Sequence, residues 1–353
     1  MLIAKKEEAM SLELAERKKK ILRAIVEGFI TTGEAVGSKT LLIETGINVS
    51  PATIRNDMAD LTQSGYLYQP HTSAGRIPTQ KAIRYYIDNL MELKAPSARA
   101  CDYIDTKLSQ AADTPENLLR TAAELLSDYT GFAAVTTTPP TESARIHRLH
   151  FLATGRHTAM VVLVTTTGMV RSRLFRCNFV VTTEVTEVLQ KILNKALSGV
   201  PLTEITKPFM QTVASTFPDL LLLTPQALVA VLEIAQQAQE TEICATGHSR
   251  LLFMPDVDIP TARGIISFLQ NKDQVANLLF ANKSGLKILI GTECADSELR
   301  HSTIISARYE IAGKTAGSVA LLGPARMDYA AAAGAVLYIA KSTGNFLDEM
   351  IDI

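Results

Sequence analysis

The stretch VSPATIRNDMADLTQSGYLYQPHTSAGRIPT, Val49 to Thr79, restricts the possible folds more than any other part of the chain. Ser50 followed by Pro51 marks a helix start: a serine side chain caps the first turn, and proline at the first helical position sacrifices no hydrogen bond and brings its φ already set. Ile54, Met58 and Leu61 then fall at i, i+4 and i+7, an apolar stripe that other elements must cover. Ala52, Thr53, Arg55 and Asn56 are left on the open side of the first two turns. Gly65 ends the helix, YLYQ reads as a short strand, and PHTSAGRIPT reads as a turn-rich loop between two extended pieces.

The preceding residues supply the cover. Leu14, Ile21, Leu22, Ile25, Val26 and Phe29 recur mostly three or four apart, predicting a helix between Leu12 and Thr31 that stops at Gly33. Ser38 is expected to cap a shorter helix, KTLLIET, with Leu41 and Leu42 inward and Gly46 as its stop. Helix, turn, helix, strand and basic loop is the order of a winged helix-turn-helix. Small and hydrogen-bonding side chains at the exposed start of a third helix suit base reading: the small ones permit close approach, arginine forks onto guanine, and asparagine pairs with adenine. The helix N-terminus also offers free N–H groups to phosphate. The candidate DNA-binding residues are Ser38, Lys39, Ser50, Ala52, Thr53, Arg55 and Asn56, with His71, Thr72, Ser73 and Arg76 in the wing. Arg76 is expected at backbone phosphate or in the minor groove.

Charge points the same way. Arg17 to Arg84 carries ten Lys and Arg against five acids, a net +5 in a chain whose total is −1, which leaves −6 for the rest. A polyanion, if one binds, belongs on this N-terminal unit.

VGSKTL, VSPATIRNDMADL, QPHTSAGRIPT with RYYID after it, and near the C-terminus ILIGTE and LLGPARMDYA, resemble the heat-inducible transcription repressor HrcA of bacteria. The motifs fall in the right order over nearly the whole chain. The resemblance implies a homodimeric repressor of chaperone operons that binds an inverted-repeat double-stranded operator (CIRCE) and is kept competent by a GroEL-type chaperonin. Thr62 stands where that family usually has an acid, Ala82 and Ile83 replace a Gly-aromatic pair, and the Ala-rich segment after Tyr329 is plain. These departures are expected to lie outside the reading helix and the loop.

Beyond a helix from about Thr79 to a linker at Pro96, TPENLLRTAAELLSDYTG predicts a helix capped by Thr114 and stopped by Gly131. Residues 147–179 give β-rich runs joined at ATGRHT and Gly168, antiparallel hairpins, and Thr183 to Leu197 is helical. GLKILIGTE and STIISARYEIAGKTAGSVALLGP repeat the β texture before a final helix from about Met327. The fold class expected is α+β. The expected division is a winged-helix domain with trailing helix over 1–95, a sheet domain in two parts, 96–198 and 283–353, and a mostly helical insertion over 199–282. By the resemblance the split domain is GAF-like and the insertion supports dimerisation.

Signals of other function classes fail. GKT, beginning at Gly313, lacks the glycine that a Walker A loop needs five positions earlier, where Arg308 stands, so a hairpin turn is expected. GHSRL around Ser249 lacks the second glycine of a nucleophile elbow. His147 and His150, three apart in a strand, point to opposite faces and make no metal pair. Four cysteines stand singly, which reads as reduced thiols and a cytoplasmic setting; no apolar run reaches the roughly 20 residues of a membrane span. The expectation is no enzyme, no cofactor and no metal. A winged-helix regulator whose GAF-like domain senses a small molecule is the alternative; it keeps the DNA-binding part and changes the switch.

Overall fold

The computed structural model describes residues 14–47, 49–71, 74–138, 144–167, 169–216, 225–239, 242–254, 257–281, 285–294, 296–311 and 313–351 of the chain. Thr72, Ser73 and Gly168 therefore lie outside the described residues. Helices and antiparallel sheets make up a mixed α/β structure.

The N-terminal unit consists of α1 (Glu16–Thr32), α2 (Ser38–Thr45), α3 (Pro51–Gln63), a two-stranded antiparallel pair β1 (Leu67–Tyr68) and β2 (Ile77–Pro78), and α4 (Gln80–Asn89). Its core is the stripe anticipated above: Ile21, Leu22, Ile25 and Val26 of α1 meet Leu41 of α2, Ile54, Met58 and Leu61 of α3, and Ala82 and Tyr86 of α4. Gly33 and Gly46 end α1 and α2 in the left-handed conformation, at φ of 73° and 60°.

The second unit is a five-stranded antiparallel sheet with helices on both faces. Its order is β7-β3-β10-β9-β8, from β3 (Ala133–Thr137), β7 (Ile243–Thr246), β8 (Leu286–Ile290), β9 (Ser302–Ile311) and β10 (Lys314–Pro324). Side chains alternate across the strands. Ala134, Ile305 and Leu321 face α5 (Ala98–Ala111), α6 (Pro115–Thr130) and α12 (Tyr329–Ile351). Ala133, Val135, Ile304, Ala320 and Leu322 face α10 (Ile259–Gln270) and α11 (Lys272–Phe280). Thr114 caps α6, accepting the Asn117 N–H at 3.2 Å, and Gly131 ends that helix, as expected. The Ala-rich run of α12 packs closely against its neighbours: Ala330, Ala332, Ala333 and Ala335 are buried, and a side chain at Gly334 would meet the Lys94 carbonyl oxygen at 1.9 Å.

The hairpins of 146–176 do not join this sheet. β4 (Ile146–Gly155), β5 (Thr158–Thr165) and β6 (Val170–Arg176) form a three-stranded sheet of their own. Leu149, Phe151, Val161 and Leu163 turn inward onto α7 (Thr183–Leu197), α8 (Lys207–Thr216) and α9 (Pro225–Gln237). The expected boundaries at 198/199 and 282/283 are corrected accordingly. The chain leaves the five-stranded sheet after Thr138 and returns at Glu242, where the Thr138 N–H donates to the Glu242 carbonyl at 3.0 Å and the Glu242 N–H to Thr138 Oγ1 at 2.9 Å. A strand and two helices placed in the expected helical insertion, β7, α10 and α11, belong to the sheet unit instead. The texture of a segment identifies its element type but not its partner, because the sheet a strand joins is set by pairing across distant sequence.

Candidate nucleic-acid interface

α3 begins as its residues dictate. Ser50 is the N-cap, its Oγ accepting the Thr53 N–H at 3.1 Å, and Pro51 opens the first turn. The Ser50 and Thr53 hydroxyls also lie 2.9 Å apart, so both are partly engaged in the cap. Ala52, Arg55 and Asn56 are exposed on the outer side, and Thr53 is half-buried. Behind them, Asp57 is buried and takes a two-pronged contact from Arg17 of α1, Nε at 2.7 Å and Nη2 at 3.1 Å, which pins α3 to α1. Neither residue stood out in the sequence, where Asp57 counted only as one acid among five; a carboxylate beside the apolar stripe of Ile54, Met58 and Leu61 was the available signal.

The loop between β1 and β2 is held against the start of α2. Val36 and Arg76 exchange two backbone hydrogen bonds, each 2.9 Å. Gly75 passes so close that an added Cβ would lie 2.3 Å from the Val36 carbonyl oxygen. Gln69 donates to the Ala74 carbonyl at 3.1 Å, and Ala74 N–H to the His71 carbonyl at 2.9 Å. The chain enters α2 straight from the Val36 bridge, so Gly37 takes the cap position in extended conformation without a side-chain bond; Ser38 is the first helical residue and not the cap expected.

These contacts create a cleft of about 360 Å³. Ser38 of α2, Arg55 of α3 and Arg76 of the loop all line it, with Gly37, Met58, Gln69, Ala74 and Gly75. Three of the sequence-derived candidates from three different elements thus converge. Lys39 is exposed beside Ser38; His71 is exposed and does not line the cleft. Arg76 is half-buried, and its Nε donates to Thr62 Oγ1 at 3.0 Å, while the Thr62 hydroxyl donates to the Met58 carbonyl at 2.8 Å. Thr62 is therefore in the last turn of α3 and orients the cleft arginine, which corrects the expectation that this departure lies away from the reading helix.

Electrostatically the cations divide into two sets. Arg17, Lys18, Lys19 and Arg23 of α1 pair with Asp57, Asp60, Glu16 and Glu27. Among the described residues no carboxylate pairs with Lys39, Arg55 or Arg76, and the last two line the cleft. Such a set can hold an anion by charge and by the planar forks of two guanidinium groups. No described helix is long and apolar enough to cross a membrane.

Comparison with known proteins gives this arrangement a context. Residues 116–332 match the family model described as HrcA protein C terminal domain. The heat-inducible transcription repressor HrcA of Desulforudis audaxviator (strain MP104C) is 33% identical over 343 residues, covering 95% of this chain and 98% of its own. That of Syntrophobacter fumaroxidans (strain DSM 10017 / MPOB) is 33% identical over 349 residues, covering 96% and 98%. A solved structure described as "Crystal structure of a hypothetical protein at 2.2 A resolution" superposes with a TM-score of 0.67 at 24% identity, over 96% of this chain and 100% of that one, and has the same fold.

Proposed function

The chain belongs to the HrcA family of heat-inducible transcription repressors, and from that premise we propose that it binds an inverted-repeat operator of the CIRCE type as a homodimer, silencing chaperone operons under the control of a GroEL-type chaperonin. In this reading the N-terminal unit is a winged helix-turn-helix. α3 enters the major groove, Arg55 and Asn56 read base edges, and Ala52 and Thr53 allow close approach. The β1–β2 loop is the wing, with Arg76 and His71 on the sugar-phosphate backbone, and Ser38 and Lys39 at the start of α2 complete the phosphate contacts. What supports this is the cleft where Ser38, Arg55 and Arg76 converge without a neutralising carboxylate among the described residues. A fold that serves only packing gives no reason to gather unpaired arginines from two elements.

The five-stranded unit is read as the GAF-like body and residues 139–241 as the dimerising insertion. The outer face of the three-stranded sheet favours that role: Leu152, Met160 and Leu174 form one cross-strand row, and Val164 pairs with Val170. Leu152, Val170 and Leu174 are 49%, 46% and 65% exposed, an apolar strip on a sheet face that a second copy would cover. One winged helix covers a half-site, and a two-fold dimer presents two, separated by roughly whole turns of about 10.5 bp. The small-molecule alternative draws support from a cavity of about 870 Å³ beside β7, lined by Arg171, Glu242, Cys244 and Lys272 among others. A melting temperature raised by metabolites and not by chaperonin would favour it.

Fluorescence anisotropy with full-length protein tests the main reading. The inverted repeat should be bound as one dimer, with marked preference over a scrambled duplex of equal length. Equal affinity for both duplexes would end it.

A further inference from the structure

RYYID, ILIGTE and LLGPARMDYA take no part in the cleft, yet the structure brings all three to one seam between the N-terminal unit and the five-stranded sheet. Arg84 of α4 commits its whole guanidinium there. Nε donates to Glu293 Oε1 at 2.9 Å, Nη2 to Glu293 Oε2 and to the Ile288 carbonyl at 2.8 Å, and Nη1 to Asp88 at 3.1 Å. The Glu293 carboxylate also accepts the Ile290 N–H at 3.1 Å, which fixes it at the end of β8. Gln80, the first residue of α4, donates to the Ile290 carbonyl at 2.7 Å and to Thr292 Oγ1 at 3.1 Å. Across the seam Arg326 Nη1 donates to the Ile30 carbonyl at 3.0 Å.

α4 is also a wall of two cores. Ala82 and Tyr86 close the N-terminal core, Ile83 enters the sheet core, and Ile30, Ile87 and Met91 touch both. Apolar contact of this kind is non-directional and lets two bodies slide. A planar, two-pronged arginine–carboxylate pair fixes direction as well as distance. α4 follows the loop strand without a break, and the Thr79 N–H is bonded to the Tyr66 carbonyl at 2.9 Å, so turning α4 turns the hairpin and α3 with it.

We propose, resting on the DNA-binding reading above, that Arg84 and Glu293 are positioning residues: their ion pair sets the angle at which α3 leaves the body and thereby the half-site spacing the dimer accepts. Binding the second half-site is intramolecular, and its strength depends on whether the geometry already matches the DNA. Neither residue lines the cleft, so a single half-site does not sense them.

The experiment uses full-length Arg84→Gln, Glu293→Gln and the reversed pair R84E/E293R, titrated by anisotropy against one half-site, the inverted repeat, and repeats with the spacer changed by about one to three base pairs. In the single variants, repeat affinity should fall roughly 10- to 100-fold with half-site affinity unchanged and the spacer preference flattened, and the reversed pair should restore that preference in part, because it recreates the ion pair but not the bonds to Asp88, Ile288 and Ile290. Equal losses on half-site and repeat would overturn the proposal by assigning the pair to the folding of the N-terminal unit; unchanged spacer preference would overturn it outright. If Arg84→Gln fails a melting check, Gln80→Ala, which removes the neighbouring seam bonds, is read by the same criteria. A wild-type protein with no preference for the repeat would instead defeat the functional reading on which the proposal rests.

Discussion

Arg55 and Arg76 share a cleft but differ in surroundings, and their substitutions should separate. Arg55 is exposed on α3; Arg55→Ala is expected to cost about 1–3 kcal/mol of operator affinity and to relax base preference, read by titrating operator against single-base variants. Arg76, steadied by Thr62, should act on all sequences alike, and Arg76→Ala should flatten the salt dependence of binding; an unchanged slope would take the loop out of the interface. Gly75 permits the close passage of the loop over Val36, so Gly75→Ala is expected to destabilise by about 1–3 kcal/mol, measured as a lowered urea midpoint. Much of this site was legible beforehand. Ser50, Pro51 and the stripe of Ile54, Met58 and Leu61 act locally, over distances at which residue type determines conformation. The Asp57–Arg17 pair, the Thr62 contact and the Gly37 cap were not, since each depends on which distant segment comes to rest beside it.

At the level of elements, helix bounds such as Thr183–Leu197 and the hairpin at Gly313 followed from caps, stripes and turn residues. Sheet membership did not. β4 to β6 and β8 to β10 have the same texture, and only their pairing and the helices behind them place them in separate sheets. The three-stranded sheet yields the next expectation. If its outer face joins two copies, Met160→Asp or Leu174→Asp buries a charge without a partner, and light scattering should report monomers; a persistent dimer would move the interface to another surface. Operator affinity should fall in parallel, while half-site binding persists.

For the whole molecule, the proposed chaperonin control sets a requirement on stability. A repressor governed by chaperonin must be marginally folded, so that it competes with damaged proteins for assistance and loses when they accumulate. Two stretches of the sequence suit such a body: an alanine run, which fills little volume, and an apolar run that would expose aggregating surface if it opened. The alanine run of α12 is closely packed rather than loose, and LLLLT at Leu220 to Thr224 lies outside the described residues. Purified protein is expected to bind operator weakly, more strongly with GroEL-type chaperonin, and weakly again once unfolded competitor is added; full binding without chaperonin, retained on warming, would separate this protein from such control. A gel-shift titration reads all three states. The clasp between Thr138 and Glu242 has a consequence of its own. The two ends of everything between β3 and β7 lie side by side, so those strands are a hairpin whose turn has been replaced by a folded body. Loop-closure entropy rises only with the logarithm of loop length, so the host sheet is indifferent to the size of its guest. Exchanging 139–241 for a short turn should leave a body that still melts cooperatively and binds a lone half-site, and other pairing modules grafted at the same two residues should reset the distance between half-sites, making this junction a socket for rewiring which operators the protein can span.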